Sequence, residues 1–188
     1  MTQDQKRALL KVQLQMPIIV RDVLSDKHQY DDITAYALND MISNYSPDHA
    51  ILSCALAMKE VAAYEGENLS DLSFLHMECD RLTERYTARI ELAEDNPELW
   101  EETQSEMMHD MAEDLEGFIE LISLCQLSFD VTNPTLADIT QIMSVQLQSQ
   151  LMIIDQVIEL LDEVSSQTHA AHMATSGYMA DNVVMFPG

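Results

Sequence analysis

Turn-forming residues are rare in this sequence, and their positions constrain the fold more than any other feature. The 188 residues include only four glycines and five prolines. A β-sandwich or β-barrel needs turn residues about every ten positions, and long stretches of this chain have none. Three of the prolines directly follow a residue that caps helix N-termini, and proline is favoured at the first helical position. These start signals are Ser46-Pro47, Asn96-Pro97 and Asn133-Pro134. The chain is therefore predicted to be all-α.

The spacing of apolar residues around these signals predicts a single-domain bundle of five to six helices. Short connections between the last three segments predict long antiparallel helices at its centre. We assign residues 1–169 to the helical bundle domain and residues 170–188 to a C-terminal tail. The expected helices run from about Gln3 to Ser25 with a kink or restart at Pro17, Asp31 to Asn44, Pro47 to just before Gly66, Ser70 to Glu94, Pro97 to Leu127, and Pro134 to Ser166.

The charge of the chain is large, negative and uneven. There are 33 acidic and nine basic residues, which gives a net charge of −24. The first 89 residues hold all nine Lys and Arg together with fourteen acids, whereas residues 90–188 hold nineteen acids and no Lys or Arg. Such a surface repels nucleic acids and anionic membranes and attracts basic proteins. We expect no direct nucleic-acid binding, no membrane association and a basic protein partner.

The helix predicted from Pro97 carries much of this charge on one side. At about 100° per residue, its large apolar side chains gather on one face and its acids on the opposite face. Nine acids lie between Glu98 and Glu120, and their spacing is near the roughly 3.4 Å between charges along one nucleic-acid strand. The sequence thus predicts a nucleic-acid mimic that binds a basic, nucleic-acid-binding protein. The predicted partner-binding residues are Glu98, Glu102, Glu106, Asp110, Glu113, Glu116 and Glu120.

Other interpretations of the bundle remain open at this point. The acidic face can be solvated and without function. Alternatively, the apolar N-terminal helix or the long last helix can pack against a copy of itself in a homo-oligomer. Glu106 and His109 have the E-x-x-H spacing of ferritin-like metal sites, and thirteen methionines could line a groove for a small apolar ligand. However, no second E-x-x-H occurs, and His109 falls on the acidic face rather than the core face. We expect no metal and no cofactor.

Arg81, Arg85 and Arg89 lie four residues apart on the helix predicted from Ser70. One interpretation is a site for an anion such as phosphate. We instead expect the three arginines to face the neighbouring acidic helix and neutralise part of its charge, because like charges at i,i+4 destabilise a helix.

No motif in the sequence indicates catalysis. There is no G-x-S-x-G, no Gly-rich phosphate loop and no H-E-x-x-H, so a non-enzymatic interaction or inhibitor protein is favoured over an enzyme. Cys54, Cys79 and Cys125 include no C-x-x-C pair and fall on apolar helix faces, where thiols behave as small apolar groups. The sequence shows neither a signal peptide nor a membrane span. We expect a cytoplasmic protein with free thiols.

Overall fold

The computed structural model of the chain describes residues 15–65, 72–129 and 133–180. These residues form helices joined by short connections and contain no strand. The helices of the described part are α1 (Gln15–Leu24), α2 (Asp32–Ser43), α3 (Pro47–Glu65), α4 (Leu72–Asp95), α5 (Pro97–Phe129) and α6 (Pro134–Ala180). The all-α fold class is confirmed.

Side chains cap three of the helices, and two of these caps, Asn96 and Asn133, belong to the predicted start signals. The carboxylate of Asp31 accepts a hydrogen bond of 2.9 Å from the Thr34 backbone N–H at the start of α2. The side-chain oxygens of Asn96 and Asn133 do the same for the third backbone N–H after each, at 3.3 and 3.2 Å. These bonds satisfy N–H groups that have no partner inside the helix. Helices α3, α5 and α6 begin at the predicted prolines, although the Ser46 hydroxyl before α3 contacts the His49 ring at 2.6 Å rather than a backbone N–H.

The end of helix α6 and the position of Pro17 in α1 both bear on the predicted helix boundaries. Helix α6 ends at Ala180 rather than near Ser166, so the first part of the predicted tail is helical. The reason is that no proline stands between residues 135 and 186, and Gly177 inside the helix costs only about 1 kcal/mol. Pro17 is the third residue of α1, where the first turn needs no N–H donor. The helix predicted from Gln3, up to residue 14, and the tail beyond Ala180 lie outside the described residues.

Helix α3 is the most completely buried of the described helices. Ten of the thirteen residues from Ala50 to Ala62 are buried, and the other three, Leu56, Lys59 and Glu60, lie together on one partly exposed side of the helix. Helices α1, α2, α4 and α6 all contact it. A helix that is apolar over most of its circumference packs against several neighbours, and the small alanine side chains of α3 leave room for them. The sequence pattern had instead suggested α6 for a central position.

The apolar faces predicted for α5 and α6 line the same core. On α5, Met111, Leu115, Phe118 and Ile122 are fully buried, while Trp100 and Met107 are half-buried. On α6 the buried side chains include Leu136, Ile139, Met143, Leu147 and Ile154. Burying one such side chain stabilises a fold by about 1.5–3 kcal/mol. None of the described helices combines the length and hydropathy that crossing a membrane requires.

The three cysteines are free thiols. Cys54 and Cys79 are buried in the core, and Cys125 is half-buried. Burial, helped by the nearby carboxylate of Glu78, raises the pKa of Cys79 to about 12. A thiol that remains protonated at neutral pH is a weak nucleophile, so Cys79 acts as a core side chain.

Candidate functional site

The acids of α5 divide into an exposed row and a paired set. Glu98, Glu106, Glu113, Glu116 and Glu120 are exposed, and none forms an ion pair with another described side chain. The side chain of Glu102 is outside the described ones. At about 100° per residue, the five exposed glutamates point within about 80° of one another. We call Glu98, Glu106, Glu113, Glu116 and Glu120 the α5 carboxylate face.

Asp110 was predicted as part of this face, but the structure pairs it with α4. The Arg85 guanidinium donates a hydrogen bond to the Asp110 carboxylate, and the Asp110 side chain is 47% exposed. The position of Asp110 explains the difference, because it is turned about 40° from Glu106 toward α4. Asp110 is therefore not free to bind a partner in the way that Glu106 is.

Asp114 lies a further 40° round the helix and is buried, with 6% of its side chain exposed. Its carboxylate accepts hydrogen bonds from Arg81 Nη2 at 2.8 Å, from Arg85 Nη1 at 3.0 Å and from the Tyr86 hydroxyl at 3.0 Å. A buried carboxylate needs such donors to offset its lost hydration. Asp114 is thus the point at which α4 and α5 are joined by polar contacts.

The role of Asp114 as a buried acceptor was not predicted, although the sequence contains a signal for it. Asp114 follows the core residue Met111 by three positions and precedes the core residue Phe118 by four. An acid at that spacing lies beside the apolar face rather than opposite to it. Burial and the Asp114 carboxylate together raise the pKa of Tyr86, so the Tyr86 hydroxyl remains a proton donor to Asp114.

Two of the three arginines in the row on α4 pair with acids of α5. Arg81 and Arg85 pair with Asp110 and Asp114, as predicted. The same contacts occupy the donors that an anion site would need.

Arg89 also contacts α5, but it pairs with an acid of α3 instead of an acid of α5. Its Nε donates to Asp48 of α3 at 2.7 Å, and its Nη1 donates to the Met107 carbonyl at 3.1 Å. Each four-residue step turns a side chain by about 40°, so the row rotates from α5 toward α3. Arg89 is 7% exposed, and its guanidinium carbon lies 5.3 Å from the ring centres of both Tyr86 and Trp100. These rings stabilise the buried cation.

The E-x-x-H pair of α5 does not form a metal centre with other described groups. His109 is exposed, as predicted, and its Nδ1 lies 2.9 Å from the Ser105 carbonyl oxygen. Among the described residues, no cluster of three or more His, Cys, Asp or Glu side chains is arranged to hold a metal ion. His169 and His172 lie outside the described side chains.

An open cavity of about 260 Å³ lies beside the α1–α2 connection. Its lining is mainly polar and includes Asp26, His28, Gln29, Tyr30 and Asn133. Such a lining does not suit the small apolar ligand that the methionine content had suggested.

Comparison with known proteins gives no match: no family model, no curated protein and no solved structure is similar to this chain.

Proposed function

We propose that this protein is a non-enzymatic interaction or inhibitor protein whose α5 carboxylate face binds a basic protein partner. One observation carries the proposal: the arginines that contact α5 are used by Asp110, Asp114 and the Met107 carbonyl. The exposed glutamates are left without a described cation. Their negative potential is therefore available to steer a basic partner toward this surface.

Among basic partners, we favour a nucleic-acid-binding protein. From Glu106 to Glu120 the face presents four carboxylates over about 21 Å, or one about every 7 Å. That is about twice the roughly 3.4 Å between charges along one nucleic-acid strand. Mimicry of a nucleic acid is therefore tested directly, by competition with DNA or RNA. The proposal of a basic partner depends only on the negative charge of the α5 carboxylate face.

The test compares the wild-type protein with two triple variants as baits in an extract of the source cells. The first variant is Glu106→Gln, Glu113→Gln and Glu116→Gln. The matched control changes three exposed acids on other helices, Glu84→Gln, Glu91→Gln and Asp40→Asn, and removes the same net charge. We expect proteins retained by the wild type and the control to be lost from the first variant, and to elute steeply with salt.

Two outcomes decide the proposal. Equal retention by all three baits would show that the α5 carboxylate face is only solvated. If retained proteins are displaced by added DNA or RNA, the partner binds this chain through its nucleic-acid site. Simultaneous binding of both would exclude mimicry and leave an ordinary interaction protein.

We further propose that α4, α5 and α6 are antiparallel neighbours and that the protein is cytoplasmic. As α4 runs from Arg81 to Arg89, its partners on α5 fall from Asp114 to Met107, which supports an antiparallel pair. Gln126 of α5 donates to Gln141 of α6 at 2.5 Å, across the connection between these helices, which supports a second antiparallel pair. The buried free thiols Cys54 and Cys79 favour a reducing compartment such as the cytoplasm.

A further inference from the structure

The cavity beside the α1–α2 connection lies where four parts of the chain meet. The end of α1, the connection itself, the end of α3 and the start of α6 all line it. Its volume of about 260 Å³ is that of about nine water molecules in the liquid, at about 30 Å³ each, so it can hold a molecule of fewer than about ten non-hydrogen atoms. We call it the Asp26 cavity, after one residue of its lining.

Asp26 has a backbone conformation that favours glycine. Its φ is 56°, in the left-handed region where other residues are uncommon. It ends α1 in a Schellman turn: its N–H donates to the Val23 carbonyl at 3.1 Å, and the Lys27 N–H donates to the Asp22 carbonyl at 2.9 Å. The Asp26 carboxylate lines the cavity and forms no hydrogen bond or ion pair with another described group. A strained residue whose side chain has no described structural contact points to a function for that side chain.

Two further groups of the lining can only accept hydrogen bonds from a neutral-pH ligand. The His28 Nε2 lies 3.0 Å from Thr34 Oγ1, and that hydroxyl donates to the Asp31 carboxylate at 2.9 Å. Because a hydroxyl has one hydrogen, Thr34 accepts from His28, and the neutral ring is left with Nδ1 as an acceptor. The Tyr30 hydroxyl donates to Asp138, so its oxygen also accepts. The lining is therefore rich in acceptors.

The charges and rings of the lining select the sign of the ligand. No Lys or Arg is among the described lining residues, whereas the Asp26 carboxylate is. Tyr30 and Tyr64 supply aromatic rings, and Tyr64 is 55% exposed; the faces of such rings attract cations. The start of α6 carries the partial positive charge of a helix N-terminus, which the Asn133 cap and the nearby Asp138 carboxylate offset. An ammonium group matches this lining, and an anion does not.

We propose that the Asp26 cavity binds a small organic cation through an ammonium group. The ammonium donates to the Asp26 carboxylate and to His28 Nδ1, and the carbon chain of the ligand lies against the Tyr64 ring. None of the lining residues belongs to the α5 carboxylate face, so this site goes beyond the proposed function and can be tested apart from it.

Three four-carbon ligands that differ in charge provide the probes: butylammonium, butan-1-ol and butyrate. Their binding to the isotope-labelled full chain is followed by NMR chemical shifts at pH 7 in about 150 mM NaCl. At that salt the Debye length is about 8 Å, so attraction to distant acids is screened while contacts inside the cavity persist.

We expect butylammonium to shift the resonances of residues 26–30, 64 and 133–135 in a saturable way, with a Kd on the order of a few millimolar. Butan-1-ol should bind at least about fivefold more weakly, because it lacks the charge. Butyrate should cause no saturable shift.

The cavity variants are Asp26→Asn, which keeps a residue tolerated at positive φ, and Tyr64→Leu. Each should weaken the binding of butylammonium about threefold or more. The matched controls are Asp40→Asn and Tyr36→Leu, an exposed acid and an exposed tyrosine of α2 that do not line the cavity. These should leave the Kd within about 1.5-fold. Circular dichroism verifies that all four variants keep their helix content.

Three results would overturn the proposal. Equal binding of butan-1-ol and butylammonium would mean that the charge is not recognised. Equal weakening by the control variants, or shifts that map to α5, would mean that the cation is attracted to the acidic surface in general. The absence of a saturable shift at about 20 mM butylammonium would mean that the cavity holds only solvent. None of these results bears on whether the α5 carboxylate face binds a basic protein.

Discussion

Asp110 and Asp114 stand one helical turn apart on α5, and a rotation of about 40° between them gives them different roles. Asp110 remains half-exposed beside Arg85, whereas Asp114 is buried and accepts three hydrogen bonds. Exposed ion pairs contribute about 0–1 kcal/mol to stability, while a buried carboxylate that loses its charge leaves its donors poorly satisfied. The two residues therefore provide a matched pair for mutation.

We predict that Asp114→Asn lowers the free energy of unfolding by about 2–3 kcal/mol. The amide keeps the shape of the side chain but cannot accept from two guanidinium groups and a hydroxyl equally well. Urea denaturation followed by circular dichroism measures the change. The control, Asp110→Asn, should cost less than about 1 kcal/mol because both partners are partly solvated. Equal losses in the two variants would show that burial of Asp114 is unimportant.

At the scale of one helix, α5 and α3 differ in how apolar residues are distributed around the helix axis. Helix α5 has a buried face and an opposite carboxylate face, so its orientation follows from the sequence alone. Helix α3 is apolar over most of its circumference, so its pattern specifies extensive burial but not which neighbour lies on each side. The neighbours of α3 could be identified only in the folded structure.

Gly117 of α5 provides a prediction at this scale. It lies in the helix interior, and a Cβ added there would have no atom within 4 Å. Alanine costs less backbone entropy on folding and has the higher helix propensity. We predict that Gly117→Ala stabilises the protein by about 0.5–1 kcal/mol, measured as a rise in the thermal midpoint. A lower midpoint would mean that a close contact at Gly117 exists in solution.

For the whole molecule, the uneven charge sets two effects against each other. Like-charge repulsion among the nineteen acids after Arg89 destabilises the fold, and salt screens it. The ion pairs of Arg81 and Arg85 stabilise the fold, and salt weakens those as well. Repulsion should dominate, because Asp114 is 6% exposed and buried pairs are screened much less than exposed carboxylates.

We therefore predict that raising NaCl from about 20 to about 500 mM increases the thermal midpoint by about 3–6 °C. Scanning calorimetry at pH 7 measures the shift. The variant with Gln at 106, 113 and 116 supplies the control, since it has less repulsion to screen and should respond less. A midpoint that falls with salt would mean that the ion pairs between α4 and α5 outweigh the repulsion.

Much of the fold and part of the candidate site could be predicted from the sequence. The caps at Asn96 and Asn133 could be predicted, because a cap and the N–H group it satisfies are within three residues of each other. The exposure of Glu106, Glu113, Glu116 and Glu120 followed from the 3.6-residue period of a single helix. The docking function assigned to those residues remains a proposal, since sequence periodicity specifies a face and not its partner.

The tertiary structure alone decided which charges are already paired. Arg89 binds Asp48, which is 41 residues away in the chain, and Tyr86 binds Asp114 at a separation of 28. Local spacing cannot predict such pairs, because they depend on how neighbouring helices pack and rotate against each other. The sequence by itself determined helices, their starting points and their two-faced character, since these arise from contacts within a few residues. Packing between distant segments determined that α3 has four neighbouring helices and that Asp114 joins α4 to α5.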